Sequence, residues 1–585
     1  MSTIHNAFVI KVDGKVGGLV RRESRGFRFI ATDGAFSALD QKRFASPAKA
    51  ELAVRRIGRT KEGAPKAVPA RGPAALIDRV AALFSRSHSR SPSWPGLRLP
   101  HASSERPRPN LRPSAAPRSS AFSEREAASS RSQALAIVGA GFSGTLLALH
   151  LSRHDRFNRR IHLFEQRASF GPGLAYSTGN PSHRVNTRAI NMSAFPDRPD
   201  HFVEWLADHA RRNRLEQPTG YSFVTRRVFG SYIESLLRAQ ISDNTTSGRL
   251  FLVADEVVDL GQDGDLVSIR TAGGRTYTAR RVVLATGNPA PGRNDGAYFG
   301  DPWDPAAVAG LSPDGAVLLM GTGLTMVDVV QSLLDVGHTG PIIAISRRGL
   351  LPRVHTRAEP LRLDRDEIPE TASLAELTVW FRRQLAKAEA DGADWRSVID
   401  GVRPHVSELW AHLPIDARRR FLRHLRPYWD VHRHRLSPQV NALFQDALAR
   451  GQLTVHAGRI VELRPDTQTA TVRFRRRGVA AVEETLRVDR VIDCTGPATA
   501  YRGGVSPVID SLLSRGWARP DPLNLGLEVD QHGALVQKDG TPSSRVFAVG
   551  PLTRGSFWES VAVPDIRAHC ARLADHLASL ALVTR

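Results

Sequence analysis

The sequence predicts an α/β fold built on two dinucleotide-binding units, and three observations carry this. A short apolar run, Leu135 to Val138, feeds into Gly139, Gly141 and Gly144 in the spacing G-x-G-x-x-G, followed by an apolar stretch of helix length and a second apolar run that ends on Glu165. Residues 316–337, AVLLMGTGLTMVDVVQSLLDVG, repeat the strand–glycine–helix plan. Two further strand-like runs each end on Thr-Gly, at Thr286-Gly287 and Thr495-Gly496.

Each part of the first unit has a physical task. Gly139 makes the tight turn, Gly141 lets backbone approach a pyrophosphate, and Gly144 lets helix and strand pack closely. Ala140, Phe142 and Ser143 complete the turn and the helix start, where unpaired N–H groups and the positive dipole end suit a pyrophosphate. Glu165 lies 21 residues beyond Gly144, with Gln166 beside it, and is placed to accept from a ribose 2′-hydroxyl. The polar, glycine-punctuated stretch that follows is long for a simple connection, which points to a functional loop. In it Gly171 and Gly173 would allow close approach to a flat ligand, and Asn186, Asn191 and Ser193 would bond ring edges. Three strand-like runs over 249–284 lead to Thr286 and Gly287, the crossover out of this unit.

The second unit repeats the turn with Gly321 and Gly323, and with Leu324 and Thr325 at the helix start. Met326 stands in the third glycine position, so its helix should pack less closely. The following strand, IIAIS, ends in Ser346-Arg347-Arg348 where Glu165 stood in the first unit. Arginine there suits a 2′-phosphate through charge-assisted hydrogen bonds, which favours NADPH over NADH. Residues 365–450 have helical periodicity and form an insertion. His424, His432 and His434 lie in it, but few carboxylates are near them, and residues two apart diverge on a helix. They are expected to be solvated or Asp-paired, with no metal. Strands return over 453–493, and the chain closes with a strand, Gly550, a loop and a helix.

Composition narrows the function further. The 585 residues carry 81 Lys and Arg against 58 Asp and Glu, a formal charge of +23. Part of the excess sits in residues 60–133, with 13 basic and 5 acidic residues, a Pro/Ser/Arg-rich stretch too poor in apolar residues to order itself. Residues 59–133 are therefore expected to be a disordered linker, with one short helix near Ala74 to Phe84. Charge of this kind implies solubility, not specific nucleic-acid binding. The cysteines, Cys494 and Cys570, form no CxxC, which excludes a redox dithiol, and are too few for a thiolate-held cluster. No apolar run approaches the ~20 residues of a membrane span. Lys11 and Asp13 interrupt the N-terminus where a secretory apolar region would lie, so a cytoplasmic protein is expected. Residues 1–58 form a small β-rich, α+β module: three short strands, then a helix started by Ser46-Pro47.

Together VGAGFSG, FGPGLAYST, HRVNTRAINMS, GTGLTMVD, SRRGLLPR, RPYWDVHRHR and GSFWESVAVPDIR, in this order over residues 134–585, resemble the bacterial FAD/NAD(P)-binding protein family, a distant relative of the flavin-containing monooxygenases and N-hydroxylases. The resemblance implies a two-dinucleotide flavoprotein: an FAD domain over 134–295 and 487–585, an NAD(P) domain over 312–486, and the helical insertion within it. It implies FAD on the first glycine turn, NAD(P)H on the second, and a final strand-to-helix turn after Gly550 aimed at the flavin's pyrimidine edge. The Baeyer–Villiger fingerprint F-x-G-x-x-x-H-x-x-x-W is absent between the two nucleotide motifs. An FAD- and NAD(P)H-dependent oxidoreductase acting on a small molecule is expected. An FAD-binding sensor or interaction protein and a flavin oxidase are the alternatives, and no catalytic acid or base is identified.

Overall fold

An apolar strand buried on both faces belongs in the middle of a parallel sheet covered by helices, and Leu135–Val138 is buried at all four residues. In the computed structural model the chain runs β1 (Leu135–Val138), α1 (Phe142–Arg153), β2 (Ile161–Glu165), α2 (Arg226–Ser242), β3 (Leu250–Ala254) and β4 (Arg281–Leu284). The six-stranded sheet has the order Ala534–Val536, Pro542–Ala548, β4, β1, β2, β3. Its first pair is antiparallel and its other neighbours are parallel. Leu146, Leu147 and Leu151 of α1 pack in one core with Cys570, Leu573 and Leu577 of the closing helix, Val563–Leu582. At about 2 kcal/mol for each fully buried leucine, this layer holds the glycine turn rigidly. A three-stranded antiparallel sheet, Val257–Asp263, Leu266–Thr271 and Thr276–Ala279, packs beside it.

The structure describes residues 134–582 except 244–247, 290–291, 479–481, 497–503 and 505; before these it describes residues 3–4, 7–12, 15–23, 26–31, 39, 42–44, 50 and 53. The chain divides into an N-terminal unit, residues 1–107, and a body, residues 108–585. In the former, Ala7–Val12, Lys15–Glu23 and Gly26–Ala31 form the three expected strands, an antiparallel meander edged by Thr3–Ile4 and Arg43–Phe44. Most of the helix expected from Ser46, and the linker with its short helix, lie outside the described residues.

The second unit runs β5 (Val317–Met320), α3 (Leu324–Asp335), β6 (Ile342–Ser346), α4 (Pro438–Ala449), β7 (Leu453–Pro465), β8 (Ala470–Arg476), β9 (Glu483–Val488) and β10 (Arg490–Asp493). Its seven-stranded sheet has the order Tyr298–Phe299, β10, β5, β6, β7, β8, β9. The strands are parallel as far as β7, and β8 and β9 add an antiparallel extension. Two expected boundaries shift. β10, placed by sequence in the first domain from 487 onward, pairs in parallel with β5; it is this unit's counterpart of β4, and its Thr-Gly ending repeats that of β4. The helical insertion does not reach 450. Parallel β6 and β7 need a crossover helix, and α4 supplies it, burying Val440, Phe444 and Ala447 against Met326 and Leu333. The inserted helices proper lie between Leu374 and Arg433 and have a core of their own around Ile368, Val398 and Val402.

Candidate nucleotide sites and the groups between them

The first glycine turn is built as the spacing requires. Gly139 has φ +100°, and a Cβ there would lie 2.5 Å from the carbonyl oxygen of Ala285 at the end of β4. A Cβ on Gly144 would lie 1.9 Å from the Gly139 carbonyl oxygen, so α1 can start this close to β1 only without a side chain. Gly141 touches Gly173: a Cβ on Gly173 would lie 2.7 Å from the Gly141 Cα. The Gly171 N–H donates to the Ala140 carbonyl at 2.8 Å. These two loop glycines let the loop after β2 seat against the turn.

Glu165 is buried, and its two oxygens accept from the Ala140 N–H at 2.9 Å and the Arg167 N–H at 3.1 Å. It thus ties the end of β2 to the turn, and each carboxylate oxygen keeps a lone pair for a ribose hydroxyl. Beside Gly139 the buried Thr286 hydroxyl has no hydrogen-bond partner among the described residues, and Gly287 follows at φ +75°. Gly550, at φ +80°, packs on the helix start, where a Cβ would lie 2.5 Å from Ser143 Oγ. The structure therefore brings together Gly139, Ala140, Gly141, Phe142, Ser143, Gly144, Glu165, Thr286, Gly287 and Gly550. Gln166 is exposed beside Glu165, and Asn191 is half-buried at the end of a short turn. Ser193 does not bond a ring edge: its buried hydroxyl donates within its own loop, to the Arg198 carbonyl at 2.6 Å.

The second turn copies the first. Gly321 has φ +106°, and a Cβ there would lie 2.6 Å from the Cys494 carbonyl oxygen at the end of β10. Gly323 faces open space, with nothing within 4 Å of a Cβ. Met326 is fully buried in the core between α3 and its sheet. Leu324 and Thr325 begin α3. The paired arginines part company. Arg347 is exposed on a cleft edge, whereas Arg348 donates to the Tyr428 hydroxyl at 3.0 Å and lies 5.0 Å over its ring. The two side chains therefore differ in surroundings, one open on the cleft and one resting on Tyr428.

Between the turns lies a polar junction that the sequence pattern did not single out. Arg226 at the start of α2 pairs with Asp328 of α3 at 2.7 Å, both largely buried. Burial pushes the Asp328 carboxyl up, against the pull of Arg226. His183 Nε2 lies 2.9 Å from Ser332 Oγ, Asn180 donates to Asp335 at 3.0 Å, and Gln331 donates to the Ser182 carbonyl at 2.9 Å. The one visible signal was an acid inside the apolar run LTMVDVV.

The insertion is fastened to the C-terminal turn by buried charge. Trp429 Nε1 donates to Glu559 at 2.9 Å, and Arg433 lies 3.2 Å from Glu559. Trp410 stacks on Trp558 with ring centres 4.7 Å apart. Burial alone would raise the Glu559 carboxyl, but Arg433 and His434 hold it low. The closing helix carries Asp565 in its first turn, paired with Arg403 at 2.9 Å. An anion and its arginine partner thus stand beside the positive end of this helix.

His432 is not solvated. It is buried, its Nδ1 lies 2.8 Å from the Tyr428 carbonyl, and burial pushes it down to about 4. Burial likewise lowers His150 to about 4, and His355 and His569 to about 3. Below the ordinary value of 6.5 an unfolded chain binds protons that these imidazoles refuse, so stability falls as pH falls from 6.5 toward 4. Each histidine contributes on the order of 1–2 kcal/mol of loss by pH 5. Urea titrations at pH 7.5 and pH 5 should show the midpoint drop; a flat profile would contradict neutral burial. Among the described residues no group of three or more His, Cys, Asp or Glu side chains could hold a metal, and no helix is long and apolar enough to cross a membrane. Cys494 and Cys570 are buried.

A family model described as FAD-NAD(P)-binding matches residues 136–289. No curated protein matches the sequence. Among solved structures the chain is similar to the ornithine N-hydroxylase of Kutzneria sp. 744, solved with reduced FAD, NADP+ and L-ornithine, at 17% identity and TM-score 0.52, covering 77% of this chain and 99% of that one. It is similar to the L-lysine 6-monooxygenase of Pseudomonas syringae at 16% identity and TM-score 0.51, covering 77% and 100%. A third is the FAD-bound cadaverine monooxygenase of Erwinia amylovora, at 12% identity and TM-score 0.52, covering 75% and 92%. Likeness at this identity establishes the fold. Residues 136–289 match that FAD-NAD(P)-binding model, and the body that contains them has the fold of the two-dinucleotide flavoproteins.

Proposed function

We propose that the chain is an FAD-dependent oxidoreductase, reduced by NADPH, that monooxygenates a small molecule. The observation that supports it most is the first glycine turn, where side-chain-free backbone, the Glu165 carboxylate and the unpartnered buried Thr286 hydroxyl meet. These groups fit the pyrophosphate and ribose of a dinucleotide. Gly139, Gly141 and Gly144 with the α1 start would hold the pyrophosphate, Glu165 the ribose, and Thr286, Gly287 and Gly550 would border the bound group. When bound, FAD supplies the electron-transfer and oxygen chemistry. On the second turn Gly321, Gly323, Leu324 and Thr325 would hold the NADPH pyrophosphate, and Arg347 the 2′-phosphate. The solved neighbours named above act on ornithine, lysine and cadaverine, so amino-bearing small molecules are the substrates to test first.

The experiment has two parts. Protein denatured after purification should release FAD and no FMN. NADPH oxidation in air should then accelerate on adding the right amine or amino acid, with a hydroxylated product. Absence of bound or bindable flavin would overturn the proposal. At residue level, Arg347→Ala is expected to raise the KM for NADPH about tenfold and leave NADH almost unchanged, since it removes a charge-assisted contact. Arg348→Ala should affect both nucleotides equally, because Arg348 is engaged by Tyr428. Steady-state kinetics with both nucleotides checks this.

A further inference from the structure

Beyond Arg347, the C-terminal end of β6 opens on a cleft of about 420 Å³ whose charged lining is five arginines: Arg347, Arg459, Arg475, Arg476 and Arg477. They are far apart in sequence, and the sheet gathers them. Ser346 pairs with Ala457 of β7, and the Arg477 N–H donates to the Ala457 carbonyl at 2.9 Å. Arg459 stands directly opposite Arg475 across the antiparallel ladder. Gly458 lets these strands close on one another, since a Cβ there would lie 2.8 Å from the Arg475 carbonyl oxygen.

Like charges directly opposite on a sheet repel, and the acids nearby compensate only some of them. Arg475 pairs with Glu483 at 2.8 Å, and Arg476 pairs with Glu484. Among the described residues Arg347, Arg459 and Arg477 have no acidic partner. Three guanidinium groups without an acidic partner border one cleft, a lining whose charge suits a phosphate-bearing ligand. Val461, 44% exposed, adds an apolar wall against which an adenine could rest.

We propose that this cleft reads the 2′-phosphate of NADPH with three arginines, Arg347 from the nucleotide-binding strand and Arg459 and Arg477 from the antiparallel extension. Arg459 and Arg477 are then specificity-determining residues more than a hundred positions from the glycine turn they serve. The inference rests on the second turn being the nicotinamide nucleotide site, and it adds where selectivity comes from. Arg475 and Arg476, already paired to acids, set the local field and contact the phosphate less.

The test uses the full-length flavoprotein titrated calorimetrically with 2′,5′-ADP and with 5′-AMP. Wild type should bind 2′,5′-ADP at least about tenfold more tightly, as hydrogen bonds to charged groups imply. Arg459→Gln and Arg477→Gln should each lose about tenfold for 2′,5′-ADP and nothing for 5′-AMP, with unchanged flavin content and circular dichroism as proof of folding. Arg459→Glu, on an exposed strand, should lose more. Variants that bind 2′,5′-ADP as wild type does would overturn the role of Arg459 and Arg477 while leaving the second turn as the nucleotide site. Binding of neither compound, with no flavin reduction by NADPH or NADH, would overturn the nucleotide site itself and this inference with it.

Discussion

Gly144→Ala is expected to abolish flavin binding and to destabilise the protein by about 3 kcal/mol or more, at or above the upper end of overpacked sites. The reason is local and geometric. The new Cβ would lie 1.9 Å from the Gly139 carbonyl oxygen, and Gly139 cannot retreat, because it already sits at φ +100° against the backbone of Ala285. Either α1 moves off the sheet, unpacking Leu146, Leu147 and Leu151, or the turn is lost. Gly323→Ala is the informative contrast. Its φ is −86° and its Cβ would meet nothing within 4 Å. That variant should fold and keep its flavin, yet bind NADPH less tightly, since a methyl group would now stand where a pyrophosphate approaches. Thermal melts, flavin content and NADPH titration of the two variants check both outcomes. A stable, yellow Gly144→Ala protein would refute this account of the turn.

Asp328→Ala should cost about 3 kcal/mol, because it leaves Arg226 largely buried with its charge uncompensated. Double replacement of Arg226 and Asp328 by apolar residues should recover most of that loss, which distinguishes an orphaned charge from lost packing. The pair joins α2 of the first unit to α3 of the second, beside the contacts of His183, Asn180 and Gln331. The single variant should therefore also slow flavin reduction by NADPH while leaving flavin content unchanged. Urea titration and rapid-mixing kinetics measure the two effects separately.

How much of this was legible in the sequence follows from the range of the interactions involved. The glycine turns were, since the need for a bare backbone at Gly139, Gly144 and Gly321 is set within one strand–turn–helix unit. The role of β10 was less so: its apolar run has no local mark of which sheet it joins, and only pairing with β5 decides. The extent of the insertion was misjudged at α4, because an amphipathic helix looks the same whether it covers an inserted core or a parallel sheet. The sequence cannot separate Arg347 from Arg348, because adjacent arginines are indistinguishable until Tyr428, 80 residues on, engages one of them. Likewise the contacts of the loop glycines Gly171 and Gly173 with Glu234 and Gly141 are set by tertiary folding and carry no local mark. Asp328 and Arg477 depend on partners brought by tertiary folding alone.

The central claim is that the second turn delivers reducing equivalents from NADPH to FAD held on the first. Anaerobic mixing of the purified flavoprotein with NADPH in a stopped-flow spectrometer tests it most directly. The account predicts rapid loss of the oxidised flavin's visible absorbance with NADPH and slower loss with NADH. Flavin that stays oxidised with both nucleotides would contradict it.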